Sequence, residues 1–408
     1  MRVGRRDLDA LPDDKFRRLW RAWLQANYPE RWRVPFLRLV AAEERSFIRL
    51  LYEGGWRAPA WPIAEGGLGL SLRKQLIYQD ELERHGAARI ADLGATLLAP
   101  TLMRFGTDEQ KRVHLPGILT GEHLWCQGYS EPGAGSDLAG LRTAARRDGD
   151  ELVINGQKIW TSMAAVSDRI FMLVRTSRHA RKQDGITFLV ADLDRPGITV
   201  RPIQNIAGDR EFCEVFFDDV RVPVGSVIGA LDGGWSVAKA LLGVERIVTG
   251  SPTLAKRAFQ VLMRVAAAVG ADHDGASGER LARLACDLAD VTSLYRDISE
   301  AAIAGAVDEM QLSLLKIATS ELFQRISEAL IEISAEHGAA AGPVAIGGRD
   351  EDIHRIFMIA RAATIYGGAG EVQRDIVARA LLGPVRPRPD TKAIAPEGRT
   401  ATTQGDAS

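Results

Sequence analysis

The chain has 408 residues and a formal net charge of −1. That length suits two or three domains with a sizeable core, and the charge lacks the basic excess that a nucleic-acid partner calls for. Cys126, Cys213 and Cys286 have no metal-ligand spacing and leave one thiol over from any disulfide scheme, which points to a reducing, cytoplasmic setting and to no metal. No apolar region follows the arginines of MRVGRRDLDALPDD, and no apolar run reaches about 18 residues, so neither a secretory signal nor a membrane span is expected.

In chain order, residues 13 to 53 are predicted helical. Trp20, Trp23 and Leu24 share one face; Phe36, Leu39, Val40, Phe47, Leu50 and Leu51 share another. Gly54 and Gly55 stop the second helix. GWRAPAWPIAEGGLGL is a rigid Pro/Gly loop whose Trp56 and Trp61 read as packing in a surface loop before ligand contact. A helix from Ser71 to Gly86 and helical stretches at Thr101–Phe105 and Thr107–His114 complete an α-helical domain over 1–120.

The run Cys126 to Ser162 reads CQGYSEPGAGSDLAGLRTAARRDGDELVINGQKIWTS. Its first part holds Gly128, Gly133 and Gly135 with Ser130 and Ser136, a composition that builds a tight loop whose N–H groups can approach a ligand. Asp137 opens a turn, where its side chain can satisfy local backbone N–H groups. Asn155-Gly156 between strand-like runs predicts a hairpin ending in Trp160, Thr161 and Ser162. An aromatic face beside a hydroxyl suits a planar, hydrogen-bonding ligand.

The pattern then has period 2. Ile170–Thr176, Ile186–Asp192, Ile198–Ile203 and Phe212–Phe217 read as strands, and without βαβ alternation they predict a small antiparallel β-domain over 121–230. Helices are expected at Trp235–Thr249, Pro252–Gly270, Glu279–Ala306, Glu309–His337, Ile353–Ile365 and Glu371–Leu382, with AAAGPVAIGGRDED as a loop. They form a C-terminal α-helical bundle over 231–386. The polar tail, 387–408, reads as disordered. The fold class is α+β, in the order α, β, α.

SEPGAGSD followed by INGQKIWTS resembles the signature of the FAD-dependent acyl-CoA dehydrogenase family, over roughly residues 15 to 386. The resemblance implies that Gln127, Gly128, Tyr129, Ser130, Gly135 and Ser136 wrap FAD, with the Ser130 hydroxyl on the pyrimidine edge of the flavin. Trp160 would pack against the ring beside Thr161, and Ser162 would donate to flavin N5, where a donor stabilises charge that develops on hydride arrival. Ser136 has two possible partners, an FAD phosphate or the CoA pyrophosphate. Gly368, Ala369, Gly370 and Glu371 stand where relatives hold the adenosine half of FAD. Ala369 and Gly370 replace hydroxyls there, so contact would come from backbone N–H groups. Glu371, at a helix start, suits the macrodipole.

Most members carry the catalytic glutamate in a Tyr-Glu-Gly-Thr sequence. This chain has Tyr366, Gly367, Gly368 and Ala369. A second family position, on the first helix after the β-domain, carries Glu245, followed by Arg246 as a substrate-binding candidate. Trp235, Ala238, Leu242 and Val248 mark that helix's apolar stripe, and Glu245 falls on it. Burial raises a carboxyl pKa, as a base working near neutral pH needs; the alternative is a buried glutamate paired with Arg246. Gly367 keeps its N–H as a donor to the thioester carbonyl. The resemblance implies dehydrogenation of an acyl-CoA or acyl-carrier thioester to the trans-2-enoyl thioester, by α-proton abstraction and hydride transfer to N5. An electron-transfer flavoprotein would receive the electrons, and the assembly would be a homotetramer or an α2β2 heterotetramer. The rival expectation is a non-catalytic or half-site subunit of a heteromeric complex, because the Gly-Gly turn resembles members from two-gene actinobacterial complexes, including those acting on steroid side chains. A flavin monooxygenase of the same fold is disfavoured by the EPGAGSD and KIWTS pair.

Overall fold

The structure, a computed structural model, describes residues 7–34, 36, 38–240 and 250–383. The predicted Glu245 and Arg246, and the tail over 387–408, lie outside those residues.

Helices α1 (Asp13–Asn27), α2 (Ala41–Gly54), α3 (Leu72–His85), α4 (Ala99–Phe105) and α5 (Asp108–Thr120) make the N-terminal unit. Phe16, Trp20 and Leu24, four residues apart on α1, are fully buried. That spacing puts them on one face, against α3, where Trp20 stacks on Tyr78 at 4.4 Å and donates Nε1–H to its carbonyl at 2.9 Å. Trp56 and Trp61 are 1% and 2% exposed, with Trp61 Nε1–H bonded to the Ala95 carbonyl at 2.8 Å. The Pro/Gly loop is thus built around core anchors, with little of either indole at the surface.

The middle unit is a seven-stranded sheet of β1 (Trp125–Gly128), β2 (Ala144–Asp148), β3 (Glu151–Ser162), β4 (Arg169–Arg175), β5 (Ile186–Asp192), β6 (Ile198–Ile203) and β7 (Phe212–Pro223). The strand order is β1-β4-β2-β3-β7-β6, with β5 also on β4. The antiparallel expectation holds for β2–β3, β3–β7, β4–β5 and β6–β7. β1 joins β4 in parallel, from Trp125↔Arg169 to Gly128↔Met172.

The hairpin expected at Asn155-Gly156 turns instead at Gly149 and Asp150, between Asp148 and Glu151. β3 runs straight through Asn155-Gly156, because β7 pairs along both sides of it with a register shift between Ile154 and Gly156. Asn155 spends its amide on β7: Nδ2–H donates to Asp219 Oδ1 at 2.9 Å, and its Oδ1 accepts from the Asp219 N–H at 3.0 Å.

The C-terminal unit begins with α6, helical over 234–240 of the described residues. It continues with α7 (Thr253–Val269), α8 (Gly275–Ile303), α9 (Glu309–Ile333), α10 (Ile353–Arg361) and α11 (Gly370–Leu382). α9 is the hub that α7, α8, α10 and α11 pack against. The predicted loop before α10 folds into a short hairpin, Val344–Ile346 with Arg349–Glu351. The helix expected to reach Ile365 ends at Arg361, and turns carry the chain to Gly367.

Among the described residues, four ion pairs join the units: Arg45–Asp168 at 2.8 Å, Arg38–Glu211 at 2.7 Å, Arg355–Asp209 at 2.6 Å and Arg73–Glu300 at 3.5 Å. A shared core of Leu98, Leu102, Ile118, Trp125, Phe171 and Ile228 spans the first two units. No described helix is long and apolar enough to cross a membrane.

Candidate flavin and thioester site

The glycine-rich loop leaves the buried end of β1. Gly128 is forced by packing: a Cβ there would stand 2.8 Å from Ile170 Cδ1 and 3.0 Å from Met172 Cβ. Its missing side chain therefore serves the sheet. The next residues make a tight turn in which Glu131 and Ala134 exchange N–H···O=C bonds of 3.1 and 3.0 Å. Beyond it the loop is open. Gly133 and Gly135 have no atom within 4 Å of a built Cβ. Ser136 is exposed, Gln127 and Ser130 are half-buried, and Tyr129 is buried. The Ser130 carbonyl accepts from the Ile159 N–H at 2.9 Å, tying the loop to β3. Asp137 heads a short turn, but its carboxylate accepts from Lys182 Nζ at 2.7 Å rather than capping that turn.

Under the loop lies a buried ion pair that neither motif announced. Lys158 is 0% exposed and donates to Glu131 Oε1 at 2.7 Å and to the Tyr129 carbonyl at 3.3 Å. Glu131 also accepts the Arg142 and Thr143 N–H groups at 2.6 and 2.9 Å. Burial pulls the lysine down to about 8 against the pull of Glu131. Burial pushes the Glu131 carboxyl up, but Lys158 and the backbone donors outweigh it and hold it below its ordinary value. Glu131 is the acid of SEPG and Lys158 the base of QKIW, so both were in view as sequence. Their pairing needs the loop to fold back on β3, and charged residues read singly default to solvated surface.

The end of β3 is re-aimed. The register against β7 slips between Lys158 and Thr161, the mark of a bulge, which bends a strand and turns a side chain outward. Trp160 has φ +59° and is 56% exposed, with only an edge contact to Phe212 at 6.1 Å. A bulky residue in left-handed backbone costs on the order of 1–3 kcal/mol and clusters at ligand sites. Ser162 is half-buried two residues on. Thr161 points the other way, fully buried, its Oγ1 without a hydrogen-bond partner.

The remaining predicted residues lie in the turn before α11. Gly367 and Gly368 have φ of 64° and 94°. At Gly368 the left-handed backbone is joined by a close approach: a Cβ would lie 2.0 Å from Gln373 Nε2. Ala369 caps α11, Gly370 is buried and Glu371 is exposed in the first turn. Lys316 donates to the Ala363 carbonyl at 3.0 Å. Burial draws its ammonium down to about 8, against the pull of Glu371.

The geometry thus brings Ser130, Ser136, Gly135, Trp160 and Ser162 to open or half-open positions, and keeps Gly128, Tyr129 and Thr161 in the interior. A strained, outward indole beside an open Gly/Ser loop and a half-buried hydroxyl fits a planar polar ring with a phosphate tail. No group of acidic, His and Cys side chains able to hold a metal occurs among the described residues.

Family models for the acyl-CoA dehydrogenase N-terminal, middle and C-terminal domains match residues 14–122, 126–220 and 232–382. Acyl-CoA dehydrogenase IpdE1 of Mycobacterium tuberculosis is 38% identical over 346 residues, covering 84% of this chain and 88% of the relative. The solved Tcur3481-Tcur3483 steroid ACAD superposes with a TM-score of 0.83 at 31% identity, over 92% of this chain and 98% of that one. The ChsE4-ChsE5 complex from Mycobacterium tuberculosis gives 0.78 at 30%, over 95% and 100%.

Proposed function

This chain belongs to the acyl-CoA dehydrogenase family, an oxidoreductase acting on acyl-CoA thioesters, and from that premise we propose a site in which Glu245 takes the α-proton. The single observation that carries the flavin side is Trp160, held in strained backbone with its indole outward beside Ser162. FAD, when bound, supplies the acceptor for the β-hydride.

The residues around it have distinct tasks. Trp160 offers an apolar face to the ring, with Thr161 behind it. The Ser162 hydroxyl donates to the ring atom where negative charge develops. Gln127, Ser130 and Gly135 wrap the ligand, with Gly128 and the buried Tyr129 setting the loop's root. Ser136 takes a phosphate oxygen of FAD or CoA. The N–H groups at Gly368 and Ala369 would meet the adenosine half, the Gly370 N–H being bonded to the Thr364 carbonyl at 2.9 Å, and Glu371 sits at the positive end of α11. The Gly367 N–H polarises the thioester carbonyl, which acidifies the α-carbon, and Arg246 supports the carrier. With FAD bound as the hydride acceptor, removal of the α-proton by Glu245 would leave a trans-2-enoyl thioester. A bulky or branched acyl group fits the small residues of the Gly367–Gly370 turn, and the likeness to a steroid ACAD supports it. An electron-transfer flavoprotein in the cytoplasm would then reoxidise the protein.

A second reading is favoured by a specific observation: one similar structure is the ChsE4-ChsE5 complex, and another pairs two components, Tcur3481-Tcur3483. On it, this chain is one half of an α2β2 heterotetramer rather than a homotetramer, and a partner completes the site. One experiment separates the two. Glu245→Gln, purified with FAD and any copurifying partner, should bind flavin and thioester normally. It should lose about a hundred- to ten-thousandfold in flavin reduction, the range for removal of a general base. Retention of more than about a tenth of the wild-type rate places the base elsewhere, in Glu371 or a partner.

A further inference from the structure

The turn that carries Gly367 is bonded at both ends and open at its tip. The Tyr366 N–H is taken by the Ala362 carbonyl at 3.1 Å and the Gly370 N–H by the Thr364 carbonyl at 2.9 Å. Between them, the N–H groups of Gly367, Gly368 and Ala369 have no hydrogen-bond partner among the described residues. Two successive glycines have wide conformational freedom, so the direction of the Gly367 N–H is set by whatever holds the ends of the turn. Side chains from two helices do this. On α11, Gln373 is 4% exposed and brings Nε2 to 3.5 Å from the Gly367 carbonyl. On α9, Gln324 donates to the Thr364 hydroxyl at 3.1 Å and to the Ala360 carbonyl at 3.2 Å. Lys316, also on α9, donates to the Ala363 carbonyl at 3.0 Å.

Lys316 is the member of this set that packing does not explain. It is 6% exposed. Among the described residues no carboxylate comes within ion-pair distance of it, and the Ala363 carbonyl is its one hydrogen-bond partner. Burial lowers it to about 8, so it is still an ammonium near neutral pH. Taking a charge out of water for a single carbonyl is unfavourable. Leu312, Leu315 and Leu322 are buried on the same helix, and an apolar residue would fill the place of Lys316 without that cost. A buried group that breaks the rule of its surroundings is expected where function requires it.

We propose that Lys316 is a positioning residue for the reaction: by holding the Ala363 carbonyl it fixes the start of the Gly-Gly turn, so that the Gly367 N–H is aimed at the thioester carbonyl. The inference rests on the acyl-CoA dehydrogenase reading above, in which that N–H polarises the carbonyl. A donor to a developing enolate oxygen is effective only when its direction is set beforehand, and a misplacement of about 1 Å can cost about a hundredfold. Lys316 acts through the turn and need touch neither flavin nor substrate.

The test compares wild-type protein with Lys316→Met and Lys316→Arg, each FAD-loaded and with any copurifying partner. Straight-chain, branched and cyclic acyl-CoA thioesters are screened, and the best of them is used for rapid mixing. That measurement separates the limiting rate of flavin bleaching from the thioester dissociation constant. Lys316→Met should melt within about 2 °C of wild type, since the hydrogen bond it loses is offset by the desolvation it relieves. It should bleach about ten- to a hundredfold more slowly, with the dissociation constant within about threefold of wild type. Lys316→Arg keeps a cationic donor and should recover part of the rate. Amide exchange at Tyr366 and Gly370 should be about tenfold faster in Lys316→Met, the scale of one hydrogen bond. Bleaching by Lys316→Met within about threefold of wild type, or a loss shared equally by rate, affinity and Tm, overturns the proposal. If no thioester bleaches the wild-type flavin, the dehydrogenase reading has failed. Exchange at Tyr366 and Gly370 still decides Lys316: unchanged exchange overturns its hold on the turn, and faster exchange supports it.

Discussion

Consider removing the ammonium beneath the loop by Lys158→Met, which keeps the length of the side chain and deletes its charge. Lys158 is 0% and Glu131 7% exposed, so the carboxylate has no water to turn to. Breaking a buried pair by deleting one partner costs about 3–5 kcal/mol. Glu131 keeps two backbone N–H partners, at 2.6 and 2.9 Å, which places the cost near the lower bound, about 3 kcal/mol. At about 2.1 cal/mol/K per residue, a chain of 408 residues melting as one unit has an unfolding entropy of about 0.9 kcal/mol/K, so Tm should fall by about 3 °C. The same energy spent on local opening raises it about a hundredfold. Calorimetry reads the first quantity and amide exchange at Arg142 and Thr143 reads the second. Adding Glu131→Gln to Lys158→Met removes the stranded charge and should return part of the loss. A Tm within about 1 °C of wild type, against the 3 °C expected from the entropy above, would refute the reasoning; so would a double variant as unstable as the sum of the single changes.

Three further outcomes follow. Glu131 is held below its ordinary value of 4.5, so its contribution is complete above about pH 4.5 and fades as pH falls through the lowered value; the Tm–pH curve of Glu131→Gln should be flatter in that acid range. Ser162→Ala should slow flavin reduction by about ten- to a thousandfold with little change in thioester affinity, and an unchanged single-turnover rate would assign the hydroxyl to structure alone. Gly368→Ala should destabilise the start of α11, where its Cβ would meet Gln373 Nε2; a melting curve that matches wild type would contradict that.

The α, β, α order was legible because helical and period-2 spacing are local properties, as in Trp20 and Leu24 on α1, although the buried face takes Phe16 where Trp23 was expected. The site was legible as a stretch for the same reason: SEPGAGSD and KIWTS are contiguous. What escaped was set at long range. Asn155-Gly156 has the dihedral preferences of a turn, yet β7 pairs across it and Gly149-Asp150 turns instead. β1 joins the sheet through β4, some forty residues on, and no local pattern carries that register. Glu131 and Lys158 look like solvated charges until the loop folds over them.

The ion pairs that join the units close long stretches of chain: Arg45 to Asp168 spans 123 residues, Arg355 to Asp209 spans 146 and Arg38 to Glu211 spans 173. Contacts of such separation form late, after local helices and hairpins have consolidated. The junctions they close are where the three units meet, so they are assembled late in folding and are early to open on unfolding. Mild denaturant should therefore speed amide exchange at the residues of those junctions while the helices and strands inside each unit stay protected.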